Sequence, residues 1–105
     1  MRIVFDQGTP EPLRYHLLDH EVATVFELGW SDPTNGELLT RAEQSWDLLL
    51  TTDEQMRHQQ NLTGRRLAIA VLMTRSWPRI ERAIDNVATV VNEIRPAEYR
   101  EISVP

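Results

Sequence analysis

The chain contains no cysteine and no lysine among its 105 residues. The absence of cysteine excludes disulfide bonds, zinc sites with thiolate ligands and cysteine nucleophiles, and it is typical of a reducing compartment. The absence of lysine disfavours a P-loop, which needs a lysine at the nucleotide phosphates. It also disfavours a phospho-acceptor receiver domain, another small α/β fold with strand-end aspartates, which normally relies on a lysine.

Long apolar runs are absent as well. No segment approaches the ~20 apolar residues of a membrane-spanning helix, and the apolar run at residues 3–5 is far too short for a signal peptide. We therefore expect a cytoplasmic protein without a membrane partner. Hydrophobic residues make up 41% and charged residues 26% of the chain, which argues against disorder. A length of 105 residues has room for one domain, which we expect over residues 1–105.

The net charge of −5 is unevenly distributed. Residues 1–53 carry −7, residues 54–82 carry +4 and residues 83–105 carry −2. An acidic half beside a basic middle is what a metal–carboxylate centre next to a phosphate-binding rim requires. A solvated surface with uneven charge gives the same distribution, so both interpretations stay open.

Short apolar runs alternate with segments of helical periodicity. Strands are predicted at residues 2–5, 21–25, 48–52, 67–73 and 99–104. Helices are predicted from the apolar sets Leu13/Leu17/Leu18 and Leu38/Leu39/Ala42/Trp46, and from the apolar spacing of residues 78–94. Strands that alternate with helices predict a three-layer α/β/α fold with a mainly parallel sheet.

Two aspartates directly follow predicted strands: Asp6 follows residues 3–5 and Asp53 follows residues 48–52. In a parallel α/β sheet, ligands bind outside the carboxyl ends of the strands. If these two strands are neighbours, ~4.8 Å apart, one carboxyl group keeps its proton unless a cation lies between them. Mg²⁺ or Mn²⁺ would remove that conflict because both ions favour oxygen ligands.

A nuclease-like cluster requires a third acid. Glu37 is the first choice because it begins the helix before residues 48–52 and lies off the apolar stripe of that helix. Glu43, on the same helix, is the second. A glutamate in a first helical turn is also favoured by the helix dipole without any function, so a structural role for Glu37 stays open.

The basic middle is expected to supply contacts to nucleic acid. Arg65 and Arg66 offer guanidinium groups for phosphates, and Asn61 offers a polar side chain. Trp77 is the tryptophan best placed to stack on a base, whereas Trp46 is expected in the core and Trp30 is left open between the two. Surface solvation and turn chemistry are the alternative explanations for the two arginines and the asparagine.

In their order and spacing, these features resemble the PIN-like predicted nucleases. The resemblance covers about the first 75 residues, and no single motif carries it. The matching segments are IVFDQGTP (3–10), HEV (20–22), ELGW (27–30), GELL (36–39), LTTD (50–53), QQNL (59–62) and RRLAI (65–69).

The resemblance implies a PIN-type α/β/α fold and metal-dependent cleavage of RNA phosphodiester bonds, with Asp6, Glu37 and Asp53 as the acidic cluster. It further implies the toxin of a toxin–antitoxin pair, with a cognate antitoxin as partner. The chain departs from the family at Gln7, where an acid commonly follows the first aspartate. It departs again at residues 54–55, where a second aspartate often follows the later one.

These departures leave an alternative open, a PIN-like binding or regulatory module without nuclease activity. Action on DNA is open as well, since the phosphodiester chemistry is shared. The apolar helix predicted at residues 78–94 is expected in the core, with a homodimer interface as the alternative.

Overall fold

Five parallel strands form the central layer of the computed structural model, which describes residues 1–31, 33–56, 62 and 64–105. The strands are β1 (Arg2–Phe5), β2 (Glu21–Thr24), β3 (Leu48–Thr51), β4 (Ala68–Leu72) and β5 (Tyr99–Ile102). A 3-10 helix spans Glu11–His16, and the α-helices are α1 (Asn35–Ser45), α2 (Trp77–Arg82) and α3 (Ile84–Glu93).

The strand order is β2-β1-β3-β4-β5, and every neighbouring pair is parallel. This is a common order of doubly wound sheets, in which ligands bind at the carboxyl ends of the strands where the order reverses. The reversal lies between β1 and β3. We call the side of the sheet where the strands end the carboxyl edge, and the opposite side the amino edge.

Each face of the sheet is covered by its own apolar layer, as the predicted three-layer α/β/α fold requires. Because successive side chains of a strand point to opposite faces, Phe5 packs towards the 3-10 helix, α2 and α3, whereas Val4 packs towards α1. Strands β3 and β4 are buried along their whole length. Burial on both faces explains why their sequences are apolar without alternation.

The predicted helices differ from the observed ones at two places. The segment 78–94 is divided at Ala83, whose backbone (φ −104°, ψ 21°) leaves the α-helical region between α2 and α3. The first helix is a 3-10 helix, so the α-helical spacing used for the prediction does not apply, and Leu18 is 80% exposed while Leu13 and Leu17 are buried. The stripe of α1, including Trp46, is buried as predicted.

None of the helices in the described ranges is both long and apolar enough to span a membrane.

Candidate metal centre at the carboxyl edge

Asp6 is held at the end of β1 by two threonine hydroxyls. The pairing of Phe5 with Leu50 places Asp6 opposite Thr51, and the Thr51 hydroxyl donates to Asp6 Oδ2. The Thr9 hydroxyl lies 2.8 Å from Asp6 Oδ1, on a turn closed by the Thr9 N–H and the Asp6 carbonyl. Both carboxyl oxygens are therefore fixed in position.

The pKa of Asp6 is raised, chiefly because burial removes its carboxylate from water. Hydrogen bonds from Thr51, Thr9 and the Gly8 backbone act against this rise, and the negative charge of Asp53 adds to it. The Thr9 hydroxyl also lies 2.8 Å from the Leu50 carbonyl, although a hydroxyl has only one hydrogen to donate. A proton on Asp6 would satisfy both contacts, because Thr9 would then accept from Asp6 and donate to Leu50.

Asp53 lies two residues beyond β3 and is oriented by hydrogen bonds of its own. Its Oδ2 accepts from the Asn35 amide at 2.8 Å and its Oδ1 accepts from the Gln55 N–H at 2.9 Å. The Asp53 N–H donates to the Thr51 hydroxyl at 3.1 Å, the same hydroxyl that donates to Asp6. Thr51 therefore links the two aspartates, and Asn35 ties Asp53 to the first turn of α1.

The two carboxyl groups supply the kind of oxygen atoms that a hard divalent cation takes as ligands. Carboxylate oxygens are the ligands that Mg²⁺ and Mn²⁺ prefer, and Mg²⁺ is often bound by one or two carboxylates with water and substrate phosphate as its other ligands. A cation between Asp6 and Asp53 would also favour the ionised form of Asp6, which burial and the second carboxylate disfavour. Within the described residues, no group of three or more His, Asp or Glu side chains could hold a metal ion.

Among the described residues, Glu37 does not form a metal-binding group with Asp6 and Asp53. Its N–H donates to the Thr34 hydroxyl at 3.2 Å and its carboxylate accepts from that hydroxyl at 3.0 Å, so the pair caps α1. Arg41 lies 3.7 Å from its other oxygen. Glu43, the second choice for a third acid, instead accepts from the Arg66 N–H and pairs with Arg65.

Arg65 and Arg66 lie at the amino edge, away from Asp6 and Asp53. They precede β4, and because β4 runs parallel to β1 and β3, the residues before it lie at the opposite end from those that follow a strand. The position of these arginines therefore does not support the prediction that they bind phosphate beside the aspartates. Asn61, the polar residue proposed with them, lies outside the described residues.

Trp77 begins α2 and is half-buried. It packs against the apolar layer formed with α2 and α3, and its ring lies 5.8 Å from that of His16. The prediction that Trp77 forms an exposed platform for stacking therefore disagrees with the structure, in which its ring is largely packed against other side chains.

A cleft of about 1090 Å³ opens beside Asp6 at the carboxyl ends of β1 and β2. Its wall includes Arg75, Trp30 and the exposed Phe26. Arg75 was not selected from the sequence, although it follows β4 much as Asp53 follows β3. Applying the strand-end rule to β4 as well would have found it.

Gly8 and Thr52 fit tightly together at the edge of this cleft. A Cβ atom on Gly8 would collide with Thr52 Oγ1 and would lie 3.9 Å from Arg75 Nε. Thr52 is buried, and its hydroxyl has no hydrogen-bond partner among the described residues. A glycine is therefore needed at position 8 for the β1 loop to approach the end of β3.

No protein-family model, no curated protein and no solved structure matches this chain. The resemblance to PIN-like nucleases therefore stays a prediction.

Proposed function

We propose that the chain is a metal-dependent ribonuclease in which Asp6 and Asp53 hold Mg²⁺ or Mn²⁺ beside the phosphate that is cleaved. The observation that supports this proposal is the position of the two carboxyl groups. They follow adjacent parallel strands at the point where the strand order reverses, and the Thr51 hydroxyl contacts both residues, donating to the Asp6 carboxylate and accepting from the Asp53 N–H. Such a point is where doubly wound sheets bind their ligands.

The residues around the pair have distinct roles in this proposal. Thr51 and Thr9 fix both oxygens of Asp6, and Asn35 fixes one oxygen of Asp53. When bound, a divalent cation lowers the pKa of its water and neutralises charge that develops on the phosphate. Arranging the oxygen ligands before the metal arrives lowers the cost of binding it.

The physiological setting forms part of the same proposal and rests on the family resemblance alone. The protein would act in the cytoplasm as the toxin of a toxin–antitoxin pair, with a cognate antitoxin that suppresses its activity. Glu37 would be outside the metal's first coordination sphere, because its carboxylate caps α1.

The experiment is RNA cleavage by the purified full chain, separated from any partner, with Mg²⁺, with Mn²⁺ and with EDTA. We expect metal-dependent cleavage by the wild type and a loss of at least about a hundredfold in Asp53→Asn, because loss of a ligand should exceed the usual effect of losing an outer-shell partner. Asp19→Asn, at an exposed site, is the matched control and should cleave like the wild type. Cleavage by Asp53→Asn at the wild-type rate would remove the proposed site.

A second candidate function is a binding module that uses the same edge without chemistry. Two observations favour it: Glu37 caps a helix instead of joining the pair, and no third acid is grouped with the aspartates within the described ranges. This candidate predicts RNA binding without cleavage in either metal. The same preparations therefore separate the two functions.

A further inference from the structure

We infer that the cleft beside Asp6 binds one unpaired nucleotide of a single-stranded RNA, with Arg75 at its phosphate and Phe26 and Trp30 at its base. The inference rests on the proposed function and deepens it, because it names the residues that hold the phosphate and the base of the substrate. Arg75 and Phe26 replace Arg65, Arg66 and Trp77, which the sequence favoured for contacts to nucleic acid, whereas Trp30 was left open.

Arg75 is the cation available at this site. It is the only arginine among the described residues that line the cleft, and its guanidinium makes no hydrogen bond or ion pair within the part of the chain that the structure describes. Arg75 is exposed. Its Nε lies close to Gly8, since a Cβ atom placed on Gly8 would be 3.9 Å away, and Gly8 is two residues after Asp6. An unengaged guanidinium beside a metal-binding carboxylate is suited to a phosphate oxygen.

The acidic residues of the cleft are already neutralised in part. Arg14 lies 2.9 Å from Glu27 and 3.3 Å from Glu11, and it donates to the Val22 carbonyl. The pKa of Glu27 is accordingly lowered by the Thr24 N–H and by Arg14. Because Arg14 is committed to these partners, Arg75 is left to meet the charge of a ligand.

Two aromatic rings border the cleft, and a tight turn sets their positions. Phe26 is 90% exposed. Trp30 is half-buried and packs in part against the apolar layer on the α1 face, but, unlike Trp77, it lines the cleft. The turn is closed by the Trp30 N–H, which donates to the Val25 carbonyl at 3.0 Å, and by Gly29 at φ +71°. Positive φ favours glycine, so Gly29 allows the chain to return Trp30 to the wall while Phe26 stays at the rim.

These features together select an unpaired nucleotide. An aromatic side chain can stack on a base only when that base is free of its own helix, and such stacking is the usual way in which proteins hold single-stranded RNA. The cleft volume of about 1090 Å³ is slightly larger than the roughly 300–1,000 Å³ of small-ligand sites. It offers room for a nucleotide, whereas the bases of a duplex would be hidden from Phe26.

The test is the affinity of the full chain for a short fluorescein-labelled single-stranded RNA, measured by fluorescence anisotropy in EDTA so that no cleavage occurs. We expect Phe26→Ala to weaken binding about tenfold, the equivalent of one stacked base. We expect Arg75→Gln to lower the slope of log Kd against log salt concentration by about 0.7, because one phosphate contact is lost. Tyr15→Ala and Arg82→Gln, both at exposed sites outside the lining of the cleft, are the matched controls and should bind like the wild type.

A second arm measures the same RNA after annealing to its complement, which should bind more weakly to the wild type and should be insensitive to Phe26→Ala. The inference is overturned if Phe26→Ala and Arg75→Gln bind like the wild type, or if the two controls weaken binding equally, or if the duplex binds as tightly as the single strand. Failure of the proposed nuclease would look different. In that case the wild type would show the expected binding pattern and no cleavage with Mg²⁺ or Mn²⁺.

Discussion

Asp6 stands opposite Thr51 in the register of β1 and β3, and the Thr51 hydroxyl donates to its carboxylate. The hydrogen bond from Thr51 lowers the pKa of Asp6 by less than burial raises it, so the pKa is still above its ordinary value. The apo protein therefore keeps a carboxyl group in a place where its charge is disfavoured. A bound cation would instead favour the charged form of Asp6.

Stability of the apo protein should depend on the protonation of Asp6. Because folding raises its pKa above the ordinary 3.8, the native state binds this proton more tightly than the unfolded chain does. The free energy of unfolding therefore loses a contribution as the pH rises from about 3.8 through the raised pKa of Asp6. The free energy of unfolding of Asp6→Asn minus that of the wild type should therefore be larger at neutral pH than in acid.

The measurement is urea unfolding of both proteins over a series of pH values without divalent cations. Asp19→Asn, at an exposed site, is the control and should track the wild type. A difference between Asp6→Asn and wild type that does not change with pH, or that changes in the opposite direction, would refute this view of Asp6.

Thr51 should contribute more to stability than an exposed threonine does. Thr51→Val keeps the shape of this fully buried side chain but removes the donor to Asp6 and the acceptor for the Asp53 N–H. We expect a cost of about 1–3 kcal/mol, because buried polar groups lose their partners. Thr40→Val, at an exposed position of α1, should change stability far less, and equal costs in urea unfolding would contradict the proposed role of Thr51.

The contact between Gly8 and Thr52 should appear as a coupling between two substitutions. Gly8→Ala places a Cβ where Thr52 Oγ1 lies, and we expect it to cost about 1–3 kcal/mol through overpacking. Thr52→Ala removes the colliding atom, so Gly8→Ala should cost much less in that background. A double-mutant cycle by urea unfolding measures the coupling, and additive costs would show that the two residues are not in contact.

Asn35 and Glu37 should differ in their effect on metal binding, although they are two positions apart on α1. Asn35 donates to Asp53, so Asn35→Ala should weaken binding of Mn²⁺ by about 10–100-fold, as loss of an outer-shell partner usually does. Glu37 caps the helix, so Glu37→Gln should leave the affinity unchanged and lower stability slightly. If Glu37→Gln weakens Mn²⁺ binding as strongly as Asn35→Ala, Glu37 belongs to the site.

Much of the fold could be predicted from the sequence because it follows from local patterns. Unbroken apolar runs identified β3 and β4, and the apolar stripe of α1 identified its buried face. Helical spacing alone could not show the break at Ala83, because the apolar residues on both sides remain in phase. The spacing of Leu13, Leu17 and Leu18 also could not distinguish a 3-10 helix from an α-helix.

The site was predicted less completely because it depends on strand order, which local patterns do not encode. The rule that ligands bind beyond strand ends selected Asp6 and Asp53, and the same rule would have selected Arg75. Arg65 and Arg66 were predicted from their charge alone, but a residue that precedes β4 must lie at the amino edge of the sheet. Asn35 carried no signal of its own, since its link to Asp53 arises only from how α1 packs.

The central claim is that Asp6 and Asp53 share one divalent cation, and calorimetric titration of Mn²⁺ into the purified full chain tests it most directly. We predict one ion bound per chain by the wild type and by Asp19→Asn, and loss of that binding in Asp6→Asn and in Asp53→Asn. Binding of Mn²⁺ by both single variants with the wild-type stoichiometry and affinity, or no binding by the wild type, would contradict the claim.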